Sequence, residues 1–239
     1  MENIEYPIRI NKYLAYKGLT TRKNADKLIE LGKVIINGKV AELGQKVRQN
    51  DKVEIKGDSI KQSSFQYFAY YKPRNVITHS PQRGEKDIAS MTGKKNLFPI
   101  GRLDKDSEGL IVLTNDGRIT QRLLSPEFDH EKEYLVITKT PIRQFFLSQM
   151  DRGLNIGDYT TKPCKTKRMG TNSFSIILTE GKKHQIRRMC DVLNLQIETL
   201  KRIRVMNIKL AKMKSNELRK IEGKELSEFL SALHINVNS

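Results

Sequence analysis

Cysteine is nearly missing from this chain. The two present, Cys164 and Cys190, form no CxxC and have no metal-ligand spacing. A disulfide framework or a structural zinc site would need more than that. Four scattered histidines add no ligand cluster. The thiols read as free, in a reducing cytoplasm. No apolar run approaches the length of a bilayer span. The opening residues, Met1-Glu2-Asn3-Ile4-Glu5, have neither the basic start nor the apolar stretch of a secretory signal.

Negative charge is scarce too. Against 44 Lys and Arg stand 27 Asp and Glu, for a formal net charge of +17. That is more than solubility requires and points to a polyanion as partner. The first 58 residues carry 12 basic and 8 acidic residues, so the surplus runs through both parts of the chain. A merely basic soluble protein is the plain alternative. No basic amphipathic helix with a bulky apolar face stands out, which argues against a membrane surface as partner. With 37% hydrophobic residues, 239 residues can build one large domain or two modest ones.

One stretch concentrates chemistry: Gly101-Arg102-Leu103-Asp104-Lys105-Asp106-Ser107-Glu108-Gly109-Leu110. The apolar run Leu97 to Ile100 leads in, and Leu110 to Leu113 leads out. A charged loop between two buried strands is costly, because its polar groups need partners or water. Loops held that way by rigid elements often carry function. If the segment is extended, Arg102 and Asp104 share a face and Leu103 packs on the other. An arginine beside an aspartate keeps the carboxylate ionised, able to act as nucleophile or base. The competing reading is ordinary turn chemistry by Asp and Gly.

The rest of the chain gives this stretch a setting. Ile10, Tyr13 and Leu14 have helical spacing, with Gly18 as the stop. Thr20 or Thr21 can cap a second helix carrying Ala25, Leu28 and Ile29, which Gly32 ends. Arg22, Lys23 and Lys27 crowd cations onto that helix, and the first two sit at an end that is already positive, an arrangement suited to phosphate. Val34 to Ile36 runs into the hairpin signal Asn37-Gly38. A second strand pair is expected through Val47 and Val53 to Ile55. Residues 58–66 are small and polar, a linker. Tyr67 to Tyr71 reads as a strand whose tyrosines are sheet core. Ile119, Leu123 and Leu124 mark a short helix that Pro126 ends. Tyr134 and Val136 share a strand face. Pro141 suits the first turn of a helix with Phe145, Phe146 and Met150 in the core. Lys162, Lys165, Lys167 and Arg168 are either a solvated edge strand or an anion contact. Ile186, Met189, Cys190 and Leu193 fall on one helix face, with Arg187 and Arg188 off it at the helix start. Arginines placed there want an anion, either phosphate or carboxylate. Residues 196 to 210, which include Arg202, alternate like strands, and 224 to 233 read as an amphipathic helix.

Two resemblances follow from these residues. Arg9 to Leu14, Thr21 to Ile29 and Gly32 to Lys39, in that order, resemble an S4 RNA-binding domain. Gly101 to Leu110 resembles the catalytic motif of the RNA pseudouridine synthases, and with the S4-like start it points to the RsuA/RluB/RluE/RluF group. Lys132-Glu133-Tyr134-Leu135-Val136 and Gly181 to Met189 fit that group as well. Within it, Asp129 to Val136 and Arg187 to Cys190 look most like the RluF type, while Lys183-His184 departs from the Asn-Arg expected before Gln-Ile-Arg-Arg.

The resemblance implies an α+β fold: an S4-like domain over 1–57, a linker over 58–66, and a catalytic domain over 67–239 with a mixed, largely antiparallel sheet and flanking helices. It implies Asp104 as nucleophile, Tyr134 packing on the target base, Arg187 holding the Asp104 carboxylate, and Arg102 holding a flipped nucleotide. Arg9, Lys12, Arg22, Lys23, Lys27, Lys165, Lys167, Arg188 and Arg202 become RNA contacts. No metal or redox cofactor is called for. The implied partner is structured RNA: large-subunit (23S) rRNA first, tRNA or a ribosomal assembly intermediate second. The chain is expected to act as a cytoplasmic monomer away from membranes. A non-catalytic S4-type or ribosome-associated factor is the alternative. A glycoside hydrolase using Asp104 and Asp106 fits poorly, since one loop rarely spans a sugar.

Overall fold

A computed structural model describes residues 5–17, 19–20, 22–56 and 65–235. Contacts divide the chain into two units, residues 1–66 with 114–121, and residues 67–113 with 122–239.

In the first unit, β1 (Ile8–Arg9) enters α1 (Ile10–Tyr16), followed by α2 (Arg22–Glu30), β2 (Val34–Ile36), β3 (Lys39–Val40), β4 (Lys46–Val47) and β5 (Val53–Ile55). The helical spacing read from the sequence becomes packing. Ile10, Leu14, Ala25 and Ile29 share one core with Val34, Ile36 and Val47. Gly32 ends α2 in the left-handed region at φ +65, and Lys33 N donates back to Leu28 O at 2.9 Å. Asn37 and Gly38 both take positive φ, so β2 and β3 close as a two-residue hairpin. The second expected strand pair does not form. β4 pairs with β1, and β5 pairs with β2. All three residues of β2 are buried, and such a strand sits in mid-sheet with a neighbour on each edge. Residues 114–121 tie in through Thr114, whose Oγ1 donates to Gln66 O at 2.6 Å, and through Arg118, stacked 4.3 Å from the Phe65 ring centroid. Gly18, Thr21 and most of the expected linker lie outside the described residues.

The second unit is built on a nine-stranded sheet. Its elements in order, with α4 begun in the first unit's 114–121 segment, are β6 (Tyr67–Lys72), α3 (Ile88–Thr92), β7 (Phe98–Ile100), β8 (Glu108–Thr114), α4 (Arg118–Leu124), β9 (Lys132–Thr138), α5 (Gln144–Arg152), β10 (Lys165–Arg168), β11 (Ser173–Leu178), α6 (Gln185–Val192), β12 (Ile197–Val205), β13 (Ile208–Lys209), β14 (Leu218–Lys220) and α7 (Gly223–Ala232). The main path runs β10-β11-β9-β12-β8-β6-β14, with β13 on β12 and β7 on β8. β12 lies antiparallel to β9 and parallel to β8, which makes the sheet mixed. Gly109 of β8 faces Arg202 of β12 in register. A β-carbon on Gly109 would lie 2.7 Å from the Arg202 nitrogen and nearer still to its carbonyl oxygen, and φ there is +108. Only glycine fits that approach.

Tyr67, Tyr70 and Tyr71 are buried, as the sheet-core reading requires. One core cluster gathers Val136, Phe174, Ile176, Ile186, Met189 and Cys190 under α5 and α6. One helix differs from expectation. Pro141 stays in the preceding loop, and α5 starts at Gln144. Leu147 and Met150 form its buried stripe, which leaves Phe145 62% exposed on the far side.

Candidate active site

The loop from Gly101 to Ser107 connects β7 to β8 and is fastened at nearly every step. Gly101 turns the chain at φ +77. Leu103 is buried, with its N donating to Thr78 Oγ1 at 3.1 Å while Thr78 Oγ1 donates to Leu103 O at 2.7 Å. Asn75 N donates to Lys105 O at 2.8 Å, and Lys105 Nζ reaches Glu85 at 3.0 Å. Ser107 N donates to Asp104 O at 3.1 Å, closing the turn. Where the loop becomes β8, Glu108 accepts from Tyr71 OH at 2.6 Å. Burial, and then that bond, raise the Tyr71 pKa, so it stays a donor. Under the loop, Lys72 is fully buried and donates to Pro73 O and Val76 O. Burial pushes its amine down to about 8, against the pull of Asp104.

Asp104 therefore stands on a preset backbone, its side chain 42% exposed, at the wall of a cavity of about 740 Å³. That volume lies within the range of small-molecule sites. All three of Arg102, Leu103 and Asp104 line the cavity, and their burial alternates as read from the sequence, with Leu103 buried between exposed Arg102 and half-exposed Asp104. Arg102 is exposed and makes no ion pair or side-chain hydrogen bond with the described residues. Asp106 is exposed on the same turn.

The opposite wall comes from β9 and β12. Lys132 and Tyr134, two apart on β9, both line the cavity, and the Tyr134 ring packs against the core cluster. Lys132 Nζ donates to His130 O at 3.0 Å. Burial, and then the charge of Arg202, push its amine down to about 8. Arg202 corrects the expectation of an exposed RNA contact. It is 4% exposed, donating from Nε to Leu110 O at 2.7 Å and from Nη1 to Arg102 O at 3.4 Å. It binds the sheet to the loop and shows the cavity only an edge.

The third wall is the segment leading into α6. Glu180 is buried and fully engaged, accepting from Tyr159 OH at 2.6 Å, Gln185 Nε2 at 2.6 Å and Lys162 N at 3.0 Å. Lys182 lies 4.2 Å from the centroid of the Tyr159 ring. Arg187, which the resemblance places on the Asp104 carboxylate, donates instead to Ser107 Oγ at 3.1 Å. Among the described residues, the ionisable side chain within ion-pair distance of Asp104 is His184, with Nε2 3.4 Å from Oδ1. Arg188 pairs with Asp158 and with Ile156 O, so of the two anions its position allowed, the structure supplies a protein carboxylate. Cys190 is buried on the core face of α6, and burial pushes its thiol up to about 12. No three His, Cys, Asp or Glu among the described residues form a metal set.

The sequence signals found Arg102, Asp104 and Tyr134, and the structure brings them to one cavity. They missed His184, Lys132, Tyr159 and Glu180 as parts of that cavity. Lys132 could have been found from its i, i+2 relation to Tyr134. Tyr159 and Glu180 lie 21 residues apart with no local pattern joining them.

Lys162, Lys182 and Lys183 also line the cavity. Arg9, Lys12, Arg22 and Lys27 are exposed and have no ion pair among the described residues. The Lys23 side chain lies outside the description. Lys165 and Lys167 are exposed on β10, the edge strand. No helix among the described residues is long and apolar enough to cross a membrane.

Two family models match the chain: RNA pseudouridylate synthase over residues 66–191 and the S4 domain over residues 8–53. The dual-specificity RNA pseudouridine synthase RluF of Escherichia coli strain K12 is 37% identical over 231 residues, covering 95% of this chain and 79% of the relative. Ribosomal large subunit pseudouridine synthase B of Bacillus subtilis is 32% identical over 228 residues, covering 91% and 93%. A solved pseudouridylate synthase crystal structure superposes with a TM-score of 0.68 at 26% identity, covering 95% of this chain and 99% of that one.

Proposed function

The chain belongs to the RNA pseudouridylate synthase family and isomerises uridine in RNA, and from that premise we propose that Asp104 is its nucleophile and large-subunit rRNA its main substrate. In the net reaction the N1–C1′ bond breaks and a C5–C1′ bond forms. The C5 proton passes to solvent and N1 gains one. The observation that carries the reading is the convergence at one cavity of a half-exposed carboxylate on a fastened loop, an aromatic ring and an unpaired arginine.

Each group has a task in this reading. Asp104 attacks the target nucleotide and holds it covalently while the base turns. Tyr134 packs on the freed base, which rotates in place. Arg102 holds the nucleotide outside its stack, as chemistry on a base requires. Arg187, through Ser107, fixes the shape of the loop behind the carboxylate. Residues 1–57, with Arg9, Lys12, Arg22, Lys23 and Lys27, dock the RNA, while 67–239 do the chemistry, and Lys165 and Lys167 contact phosphate along β10. The substrate preference follows the names of the relatives: one acts on the ribosomal large subunit, and another carries a dual-specificity title. tRNA, or a ribosomal assembly intermediate, is the second substrate to test. The enzyme works as a monomer in a reducing cytoplasm, where Cys164 and Cys190 stay thiols.

The test is tritium release from C5-labelled uridine in rRNA and tRNA, comparing wild type with Asp104→Asn. Release by the wild type alone supports both isomerisation and the nucleophile, and the RNA that releases names the substrate class. Equal release by Asp104→Asn would remove Asp104 from the nucleophile's role.

A further inference from the structure

The residue facing the nucleophile was given no role by any motif. His184 sits at the N-terminal boundary of α6, with φ 54 and ψ 27, in the left-handed region. A non-glycine residue there carries backbone strain. Glycine or asparagine would occupy the position more comfortably. His184 gains nothing locally in return, because its side chain makes no capping hydrogen bond to the helix. The backbone on either side is pinned. Gln185 donates to buried Glu180, and Lys182 N donates to Gln185 Oε1 at 3.0 Å. The strained conformation delivers one thing, an imidazole Nε2 at 3.4 Å from Asp104 Oδ1.

We infer that His184 is a positioning residue for the nucleophile: it holds one carboxylate oxygen of Asp104 so that the other is presented to the substrate. The inference rests on Asp104 being the nucleophile. That leaves Oδ2 for attack. Other charged groups line the same cavity: Arg102 from the loop, Lys132 and Arg202 from the strand wall, and Lys182 with Lys183 from the segment of His184 itself.

Three variants run in parallel test the inference: His184→Asn, His184→Gln and Asp104→Asn. Asparagine accepts the left-handed backbone but is too short to reach Asp104. Glutamine places an amide nitrogen near the Nε2 position. The readouts are kcat and KM by tritium release, with thermal melting to confirm folding. His184→Asn should melt at or above the wild-type temperature, lose about tenfold in kcat and keep KM within about twofold. His184→Gln should regain most of kcat. A wild-type kcat in His184→Asn would overturn the inference. So would a raised KM with unchanged kcat, which would make His184 an RNA contact. If Asp104→Asn itself turns over, the nucleophile assignment fails first, and the two failures are told apart in one experiment.

Discussion

The same residue types serve opposite ends in the two units. In the first, Arg9, Lys12, Arg22 and Lys27 point outward with no ion pair among the described residues. In the second, Arg202 is spent on main-chain oxygens, Arg188 on Asp158, Arg187 on Ser107 and Arg204 on Glu131 and Glu133. A solvated cation contributes long-range attraction and a salt-dependent contact. A partnered, half-buried guanidinium contributes shape, because its fork fixes the groups it binds. A net charge of +17 thus overstates the charge the catalytic unit can offer RNA. Affinity and architecture thus fall to different cations, and Arg102, Lys165 and Lys167 keep exposed charge in the second unit as well.

That division can be broken at its strongest point first. Asp104→Asn should lower tritium release by at least about a thousandfold while leaving RNA affinity within about twofold, since a covalent step is lost and no phosphate contact is. Gly109→Ala comes next. Positive φ together with backbone contact at Arg202 should cost about 4 kcal/mol or more, read as a collapsed melting temperature in the second unit. Arg202→Ala leaves Leu110 O without its donor and should cost about 3 kcal/mol by denaturant titration. A wild-type melt with only weakened RNA binding would return Arg202 to the exposed-cation class. Arg22→Ala with Lys27→Ala should do the reverse: kcat and melting unchanged, and the log–log salt slope of binding smaller by about 1.4 to 1.8, at roughly 0.7 to 0.9 per phosphate contact.

The last is a pH dependence of stability. Lys72 and Lys132 are both held near 8, below the value of about 10.4 for an unfolded lysine. The unfolded chain therefore binds more protons between those limits, and folding stability should rise as pH climbs from 8 towards 10.4. Below 8 both amines are charged in either state, and their full burial cost is present. Lys132→Met should flatten part of that rise in urea titrations at successive pH values.

Sequence legibility followed the same line. Local signals were readable: the Asn37-Gly38 hairpin, the Gly32 stop, the α6 core face and the buried Leu103 between more exposed Arg102 and Asp104. Pairing was not. The partnership of β4 with β1 spans 39 positions, Ile8 to Val47, and leaves no local trace. Charge gave an excess without showing which cations are already taken. Arg188 reads as a free helix-start arginine until Asp158, 30 residues away, comes into place. Phe145 reads as core because it is aromatic, yet the helix period turns it outward. His184 escaped because its importance lies in a backbone angle and in a neighbour 80 residues distant, neither of which a motif records.

The fastening of the 101–108 loop has one more consequence. Thr78, Asn75, Glu85, Arg187 and Tyr71 each hold a different point on it. A loop so held has little conformational slack to give on binding. The deformation needed to bring a uridine to Asp104 must then fall on the nucleic acid. Reactivity among candidate uridines should track how cheaply each leaves its helix, so that bulged, mismatched or loop nucleotides react ahead of paired ones of the same local sequence.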